Sequence, residues 1–399
     1  MDSKNLLACA SVLVLVVLIL TPNNNYAAER GFDDKEIRIG SWGPQTGPAA
    51  PWGSIARGPG ILFHLVNEEG GIHGRKIKHF IRDDQYNPAQ TKAVAKELVE
   101  RQGVLAVTSG LGSACVLAVK DYLAEKKVIS VGMCSGAREL VYPLNPYLFS
   151  NFDLFGDEAS VLTKYVVEKL KIIKVGFLYQ NDPMGWDALA GAKERMETYG
   201  LQFTAEIPVE PTEKDLSSQI MKLKTSGANA VIMQVAPTPG IVAVKTAAAI
   251  GYKPQWVSAD TLGELPTMYK LTGGLWEGVI TGGKLLETTG NHPLVVKYRE
   301  AAKRLTPDEP FNAWFMSGMF FAEPLVYALK KVGRNLSTEA LLQALNSVKD
   351  FQGIGPKITW TPQEHQGVDS TRVYKCGPNG SFILLQDWTP NELTKWKKK

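Results

Sequence analysis

Short apolar segments alternate with longer amphipathic ones along most of the chain after residue 36. Short apolar runs bounded by glycine or proline are typical of buried strands, and apolar positions recurring about every three or four residues are typical of helices. In the first part of the chain this pattern predicts strands at Ile37–Ser41, Ile77–Arg82, Val104–Thr108 and Val128–Val131. The helices predicted between and after them are Trp52–Glu69, Asn87–Arg101 and Ser113–Glu125.

A second run of the same kind follows a connecting segment at 142–156, which is rich in proline and aromatic residues and holds a short strand at Tyr147–Asn151. The strands predicted in the second run are Lys174–Tyr179, Gln202–Val209, Ala230–Gln234 and Gln255–Ser258. Its predicted helices are Asp187–Tyr199, Asp215–Thr225 and Pro239–Ile250.

The last third of the chain predicts long helices followed by short strands. The helices are His292–Leu305, Ala313–Lys330 and Thr338–Val348, and the strands are Lys357–Trp360, Thr371–Cys376 and Phe382–Gln386. Strands that alternate with helices predict parallel sheets covered by helices on both faces. Two such runs joined by a connection predict an α/β protein made of two similar lobes.

The first 28 residues have the composition of a secretory signal. Lys4 precedes an apolar core at Leu6–Leu20, and a polar stretch then leads to Tyr26-Ala27-Ala28. The apolar core is shorter than the roughly 20 residues that a membrane-spanning helix needs. The signal therefore predicts export, although the poor cleavage signal around Asn25 and Tyr26 leaves an uncleaved anchor open as an alternative.

Composition narrows the classes of function. The chain has 399 residues, of which 44% are hydrophobic and 21% charged, as expected for a globular protein with two cores. Its 44 basic and 40 acidic residues are well mixed and give a net charge of +4, which argues against a nucleic-acid-binding surface. The lysines at 397–399 are the one basic run, and they predict a solvated tail.

The cysteines predict neither a disulfide scaffold nor a metal site. Removal of the signal would take away Cys9 and leave Cys115, Cys134 and Cys376, an odd number, so at least one thiol stays unpaired. No spacing in the sequence is typical of a zinc site. We therefore expect no metal and no other cofactor.

A glycine-containing turn at Gly110–Cys115 follows a predicted strand and begins a helix. It only partly matches a dinucleotide-binding motif, because Cys115 occupies the third glycine position and the next strand ends without an acid that could hold a ribose. The first N–H groups of a helix and its dipole nevertheless favour an anion, and a carboxylate would fit. Ser113 is thus a candidate ligand for a carboxylate, with simple helix capping as the alternative.

A second glycine-containing loop, Gly132–Gly136, has the G-x-nucleophile-x-G spacing of hydrolases with Cys134 at its centre. A cysteine hydrolase would also need a histidine and an acid, for which Asp260 and His292 have the usual chain order. So loose a pattern arises by chance in a chain with 37 glycines. A tight loop at the carboxyl end of a strand, where α/β sheets bind ligands, is the favoured interpretation.

Three further groups of residues stand at predicted strand ends or in aromatic positions. Asp83 and Asp84 could serve in metal binding or acid–base chemistry, but an acidic turn before a helix is favoured. Asp260 lies just past a predicted strand and is the best single candidate for holding a ligand ammonium group. Tryptophans such as Trp256, taken singly, more often pack in a core than contact a ligand.

The order of these segments resembles the type I branch of the periplasmic binding proteins, typified by the leucine/isoleucine/valine-binding proteins that serve branched-chain amino acid ABC transporters. The segments that carry the resemblance are 37–48 (IRIGSWGPQTGP), 67–77 (NEEGGIHGRKI), 82–88 (RDDQYNP), 180–185 (QNDPMG) and 276–279 (WEGV). Together they span nearly all of the chain after the signal.

The resemblance implies two Rossmann-like lobes joined by three hinge crossovers, with a ligand held in the cleft between them. It predicts a signal peptide at 1–28, a first lobe at 29–151 plus 284–354, a second lobe at 152–283 plus 355–394, and a basic tail at 395–399. It further implies a monomeric, non-enzymatic protein that acts in the periplasm without nucleic acid and delivers its ligand to an ABC transporter permease.

The resemblance also implies which residues face the ligand. They are Trp52, Ser113, Cys134, Ser135, Gly136, Met184, Trp186 and Asp260. In this scheme Trp52 packs on the ligand side chain, Ser113 binds its carboxylate and Asp260 holds its ammonium group. The loop at 134–136 contributes backbone groups, and Met184 and Trp186 close over the other end of the ligand.

Departures from the family pattern bear on the ligand. The 132–136 loop lacks the threonine that relatives often have, Met184 replaces a common tyrosine, and Asp260 is shorter than glutamate by one methylene. Because unmatched buried polar groups are costly, these changes predict a ligand more apolar than a standard amino acid. Two ligand classes remain: a branched-chain or other apolar amino acid, and an aromatic or aliphatic acid or amide without an ammonium group.

Two points stay open from the sequence. A ligand-sensing domain of the same fold is an alternative to a transport receptor, although sensors normally carry a signalling segment. Cys115 and Cys134 are expected at neighbouring strand ends, where a disulfide could form, but two buried thiols are favoured.

Overall fold

The computed structural model describes residues 30–47 and 49–398. The predicted signal peptide at 1–28 lies outside the described residues. Among the described residues, no helix combines the length and the apolar character needed to cross a bilayer.

The strands of the described part follow the alternating pattern of the sequence. They are β1 (Glu36–Gly43), β2 (Lys76–Asp83), β3 (Ala106–Thr108), β4 (Ile129–Val131), β5 (Leu148–Phe149), β6 (Val175–Gln180), β7 (Ala205–Val209), β8 (Ala230–Gln234), β9 (Gln255–Ser258), β10 (Ile280–Gly283), β11 (Ser370–Cys376) and β12 (Phe382–Pro390).

The α-helices of the same part lie mostly between consecutive strands. They are α1 (Ser54–Arg57), α2 (Pro59–Glu68), α3 (Pro88–Glu100), α4 (Ser113–Leu117), α5 (Lys120–Glu125), α6 (Phe155–Glu168), α7 (Pro183–Thr198), α8 (Ser217–Thr225), α9 (Pro237–Ala249), α10 (Leu265–Thr272), α11 (Pro293–Leu305), α12 (Ala313–Val332) and α13 (Thr338–Leu345).

Within the described residues these strands form two sheets, one in each lobe. The first has the order β2-β1-β3-β4-β5 and is parallel throughout. The second has the order β12-β11-β10-β9-β8-β6-β7, with β6 to β10 parallel and the two strands at one edge, β11 and β12, antiparallel. Central strands such as β3, β4 and β8 are buried along their whole length, because helices cover both faces. The predicted α/β architecture of two Rossmann-like lobes is confirmed.

Several predicted elements differ in their extent. The helix predicted at Trp52–Glu69 is divided into α1 and α2, with Pro59 at the start of the second because proline has no N–H to donate within a helix. The helix predicted at Ser113–Glu125 is divided into α4 and α5. The helices α6 and α10 and the strand β10 were not predicted, and no regular strand forms at Lys357–Trp360, where Ile358 makes only an isolated bridge with Phe351.

The chain described by the structure passes between the lobes three times, and the third passage lies later than predicted. The boundary predicted at 354/355 is wrong, because the following segment packs on the first lobe. Trp360 packs against Phe149 with ring centroids 5.3 Å apart, and His365 stacks on the same ring at 3.9 Å. The indole of Trp360 donates to the backbone oxygen of Ser150 at 2.9 Å. A buried tryptophan needs both an apolar surface and a hydrogen-bond acceptor, and the first lobe supplies both to Trp360. The backbone N–H of Gly367 also donates to Ser150, so the chain leaves the first lobe only after Gly367.

The predicted solvated tail is also wrong at Trp396 and Lys397, whereas Lys395 and Lys398 are exposed. Trp396 is only 2% exposed and lies against Gly156, where a larger side chain would overlap its ring. Lys397 pairs with the buried carboxylate of Asp157 at 2.8 Å. Trp396 and Lys397 are therefore part of the second lobe.

Candidate functional site

A cleft between the two lobes lies at the carboxyl ends of β3, β9 and β10, which is where α/β sheets usually bind ligands. It encloses about 810 Å³ of space between its lining atoms, part of it open to solvent. Much of its wall is aromatic. The rings that line it are Trp52, Tyr86, Phe152, Phe155, Trp314, Tyr374 and Phe382.

Trp52 and Tyr86 form one aromatic wall on the first lobe, with ring centroids 5.6 Å apart. Each of these side chains also reaches the second lobe. The Trp52 indole Nε1 donates to the backbone oxygen of Thr261 at 3.3 Å, and Gln180 Nε2 donates to the Tyr86 hydroxyl at 3.4 Å. The two lobes are thus in contact across the cleft, in a closed arrangement.

Ser113 lies where its sequence position predicts, at the first residue of α4 and in the cleft wall. Gly112 before it has φ 98°, and a Cβ there would approach the Tyr86 ring to 2.8 Å, so only glycine lets the turn lie so close to the aromatic wall. The Ser113 hydroxyl is 2.9 Å from that of Ser135. Since the first N–H groups of a helix have no partner within it, this corner can offer several donors to an anion.

The loop at 134–136 contributes less to the cleft than predicted. Cys134 lines the cleft, but its backbone N–H donates to Gly110 and its backbone oxygen accepts from Gly112. Ser135 is buried behind Ser113, and the Gly136 oxygen accepts from Phe155 N–H at 3.0 Å. Ser135 and Gly136 therefore support the site from behind and do not line it.

The thiols at this corner are neutral and unbonded. Cys115, Cys134 and Cys376 are all free, so the structure has thiols where a disulfide between Cys115 and Cys134 was an alternative. Burial raises the pKa of Cys134 to about 12, which opposes the thiolate that nucleophilic catalysis needs. Among the described residues that line the cleft there is no histidine to act as its base.

Met184 and Trp186 begin α7 but take opposite positions. The Asp182 carboxylate caps this helix by accepting from the N–H groups of Met184 and Gly185. Met184 is buried and lines the cleft. Trp186 is 52% exposed and donates to Asn181 at the surface, because residues two apart on a helix do not share a face. The prediction that Trp186 lines the cleft is wrong.

Asp260 lies at the cleft as predicted, but its carboxylate already has a cationic partner. The ammonium of Lys284 contacts Asp260 Oδ2, and the two side chains are only 9% and 4% exposed. Lys284 is also held over the Phe152 ring, with its nitrogen 3.9 Å from the ring centroid. This ion pair belongs to the second lobe, since Asp260 follows β9 and Lys284 follows β10.

Two more acids, Asp153 and Glu158, are buried behind this pair. Glu158 Oε1 accepts the backbone N–H of Asp260 at 2.7 Å and so fixes the turn that carries it. Burial raises the pKa of Asp153 to about 7 and that of Glu158 well above its usual value. Burial also lowers the pKa of Lys284, while the neighbouring acids oppose that shift.

Sequence reasoning missed several residues of the site, of which Tyr86, Lys284 and Trp314 are the most prominent. Tyr86 lies in the acidic turn that was interpreted as structural. Lys284 follows β10, whose four residues include two glycines and gave no strand signal. Had that strand been recognised, the first residue after it would have been a candidate by the same rule that found Asp260.

The cleft and the two lobes have counterparts in known proteins. The sequence profile described as "Periplasmic binding protein" matches residues 36–381. The Leu/Ile/Val-binding protein homolog 1 of Brucella suis is 28% identical over 362 residues, which cover 88% of this chain and 94% of that protein.

Solved structures share the fold. A fatty acid ABC transporter substrate-binding protein from Thermomonospora curvata superposes with a TM-score of 0.82 at 24% identity, covering 93% of this chain and 96% of that one. A branched-chain amino acid ABC transporter protein from Thermus thermophilus with bound valine also gives 0.82, at 21% identity, covering 91% and 99%. With its profile match over most of its length, this chain belongs to the periplasmic binding protein family.

Proposed function

We propose that this protein captures a small, apolar carboxylate outside the cytoplasm and delivers it to the membrane permease of an ABC importer. The observation that carries the proposal is a cleft between two lobes in which a buried serine hydroxyl, that of Ser113, stands at a helix start opposite largely aromatic walls. The export signal predicted at 1–28 and the membership of the periplasmic binding protein family support a location outside the cytoplasm. The similar proteins include Leu/Ile/Val-binding protein homologs and a branched-chain amino acid ABC transporter protein, which supports an ABC transporter permease as the partner.

The carboxylate end of the ligand is expected at Ser113. Its hydroxyl is paired with that of Ser135, and the hydroxyl pair can turn one hydrogen toward an anion while keeping the other between the two oxygens. The neighbouring N–H groups at the start of α4 add donors that favour negative charge. Hydrogen bonds to a charged group are stronger than neutral ones, so this corner supplies direction as well as affinity.

The remainder of the ligand is expected to lie against apolar walls from both lobes. Trp52 and Tyr86 supply the first-lobe side, and Met184 and Phe155 supply the second-lobe side. Such a lining favours an aliphatic or aromatic body, because polar groups placed there would lose their hydrogen bonds to water. The flexible Met184 side chain can adapt to branched or planar shapes.

Function then consists of capture and release without chemistry. Ligand bound to Ser113 in one lobe and to Met184 in the other favours the closed arrangement, because it contacts both walls only when they are close. The closed form presents both lobe surfaces together to a permease, and opening releases the ligand.

Calorimetry with defined acids tests this function. Aliphatic and aromatic acids such as 4-methylpentanoate, octanoate and 3-phenylpropanoate are titrated, along with leucine and the alcohol 4-methylpentanol. We expect at least one carboxylate to bind with micromolar or tighter affinity and the alcohol not to bind. Ser113→Ala should weaken the bound carboxylate by 10-fold or more, corresponding to about 1.4 kcal/mol.

Ser317→Ala is the matched control, because Ser317 also lines the cleft but its hydroxyl donates to Ala313 within α12. It should leave the affinity within about twofold. Absence of binding by every carboxylate in the panel, or equal losses in the two serine variants, would contradict the proposed function.

A further inference from the structure

The second-lobe end of the cleft contains an ion pair whose cation occupies the place where an amino-acid ligand would put its own. Asp260 is the acid that the family resemblance assigns to a ligand ammonium group. In the structure its Oδ2 contacts the Lys284 ammonium, and both side chains line the cleft. The charge that would attract an ammonium group from the ligand is already neutralised within the protein.

The position of Lys284 is held by more than one contact. Its nitrogen lies over the Phe152 ring, 3.9 Å from the centroid, so its charge faces Asp260 on one side and an aromatic face on another. The side chain comes from the end of β10, where Gly282 and Gly283 leave room for Glu158 and Tyr374 to pack. Because the strand, the ring and the acid together fix the lysine, it is built into the wall and is not a mobile surface side chain.

The remaining acids in this region do not restore an ammonium site. Asp153 and Glu158 are buried behind the pair and are not among the residues that line the cleft. Burial raises the pKa of both carboxyl groups, which favours their protonated forms. Glu287, the other acid that lines the cleft, accepts a hydrogen bond from the Tyr374 hydroxyl at 2.9 Å and lies 3.9 Å from the Arg372 guanidinium. A ligand ammonium placed at Asp260 would therefore stand beside the like charge of Lys284.

We propose that Lys284 is a specificity-determining residue that substitutes for the ligand's ammonium group at Asp260, so that the cleft selects apolar carboxylic acids over the amino acids of the same carbon skeleton. This inference rests on the proposed function and names the substrate class of the same site. An acid such as 4-methylpentanoate brings no cation to the pair, whereas leucine brings a second cation to one carboxylate.

Matched ligand pairs test the proposal by calorimetry at pH 7.5. The pairs are 4-methylpentanoate with leucine, and 3-phenylpropanoate with phenylalanine. We expect the wild-type protein to bind the acid of the better pair at least 10-fold more tightly than its amino acid. Lys284→Met, which keeps the length of the side chain and removes its charge, should shift this ratio at least 10-fold toward the amino acid, because it frees Asp260.

Two further variants keep the test decisive if Lys284→Met does not fold. Asp260→Asn removes the anion and should leave the wild-type preference for the acid in place. Lys193→Met is the matched control, since Lys193 pairs with Glu206 on the surface of the same lobe and should not alter the ratio. A selective loss of amino-acid binding in Asp260→Asn would show that Asp260 holds a ligand ammonium and would overturn the inference.

The outcomes separate this inference from the function on which it rests. If amino acids bind as tightly as their matched acids, the protein is still a carboxylate receptor but Lys284 does not set its specificity. If neither member of any pair binds, the proposed function itself fails and the inference fails with it.

Discussion

The indole Nε1 of Trp52 donates a hydrogen bond of 3.3 Å to the backbone oxygen of Thr261, and this bond joins the two lobes across the cleft. Trp52 is at the same time part of the aromatic wall, since its ring packs on Tyr86. One side chain therefore contributes both to the surface offered to a ligand and to the closed arrangement that would enclose it.

Replacing Trp52 by phenylalanine separates these two contributions. Trp52→Phe keeps an aromatic wall but removes the N–H, so we expect ligand affinity to fall about 2- to 10-fold, the value of one hydrogen bond of roughly 0.5–1.5 kcal/mol. Trp52→Ala should cost more, because it also removes the apolar wall. Calorimetry with the best carboxylate of the panel gives these affinities.

Trp186→Phe is the control for this series, because Trp186 is exposed outside the cleft and should leave affinity unchanged. A loss in Trp186→Phe as large as that in Trp52→Phe would contradict the placement of the two tryptophans relative to the ligand.

A buried acid of the first lobe predicts how stability depends on pH. Glu323 of α12 accepts from the Tyr298 hydroxyl at 2.8 Å and from Ile354 N–H at 3.1 Å, and so ties the segment around 354 to the first lobe. Burial raises its pKa from the usual 4.5 to about 7. The folded protein thus keeps a proton that the unfolded chain releases, and the resulting stabilisation is fully present below pH 4.5 and is lost as the pH rises through 7.

We expect the wild-type protein to lose roughly 1–3 kcal/mol more unfolding free energy between pH 5 and pH 8 than Glu323→Gln, which cannot titrate. Urea denaturation followed by circular dichroism measures both proteins at each pH. Glu300→Gln, on the exposed surface of α11, is the matched control and should follow the wild type. Parallel pH profiles for the wild type and Glu323→Gln would show that Glu323 is ionised at both pH values.

Much of the fold was predictable because its strands and helices carry strong, separate signals. β8 and β9 have the predicted bounds, since the apolar residues at 230–233 and 256–257 are followed by a change in composition. β10 was missed because two of its four residues are glycine, and those glycines are explained only by the side chains packed against them, Glu158 and Tyr374. Local pattern cannot reveal a strand whose composition is set by contacts from distant parts of the chain.

The site was predictable for residues that follow a recognised strand, but not for contacts between two segments that are distant in sequence. Ser113 and Asp260 follow strands of parallel sheets, so their places at the cleft came from the sequence. The pairing of Asp260 with Lys284 depends on β9 and β10 being neighbours, which no spacing in the sequence states. Trp186 was misplaced for a related reason, since the face of α7 that meets the cleft is decided by packing and not by residue type.

The free thiols at the cleft corner predict a reactivity pattern. Burial raises the pKa of both Cys115 and Cys134 to about 12, so very little thiolate exists at pH 8 in the folded protein. We expect iodoacetamide to alkylate them at least about 100-fold more slowly in the folded protein than in guanidinium, and to label both under denaturing conditions without any reductant. Mass spectrometry of the peptides measures the labelling, and Cys376 serves as the internal free-thiol reference. Labelling of Cys115 and Cys134 only after reduction would show a disulfide.

Of the substitutions considered, those in the terminal segment at 396–397 are expected to cause the largest loss of stability. Trp396 fills a space against Gly156 on the second lobe, and its indole donates to Asp157 Oδ1 at 3.2 Å. Lys397 pairs with the other oxygen of the same carboxylate at 2.8 Å. Asp157 is buried and its pKa is raised by burial, so its charge depends on partners that this terminal segment supplies.

We therefore expect Trp396→Ala to lower the unfolding free energy by about 3–5 kcal/mol, because it leaves a cavity and removes a donor from a buried acid. Lys397→Met should cost less than Trp396→Ala, since the Asp157 carboxyl can take up a proton when its cationic partner is gone. Its cost should grow as the pH rises, because the uncompensated charge then forms. Lys398→Met, one residue further along on an exposed side chain, should stay within about 0.5 kcal/mol of the wild type. Urea denaturation measures the unfolding free energy of the three variants. If all three unfold at the same urea concentration as the wild type, the terminal segment only lies on the second lobe and is not an integral part of it.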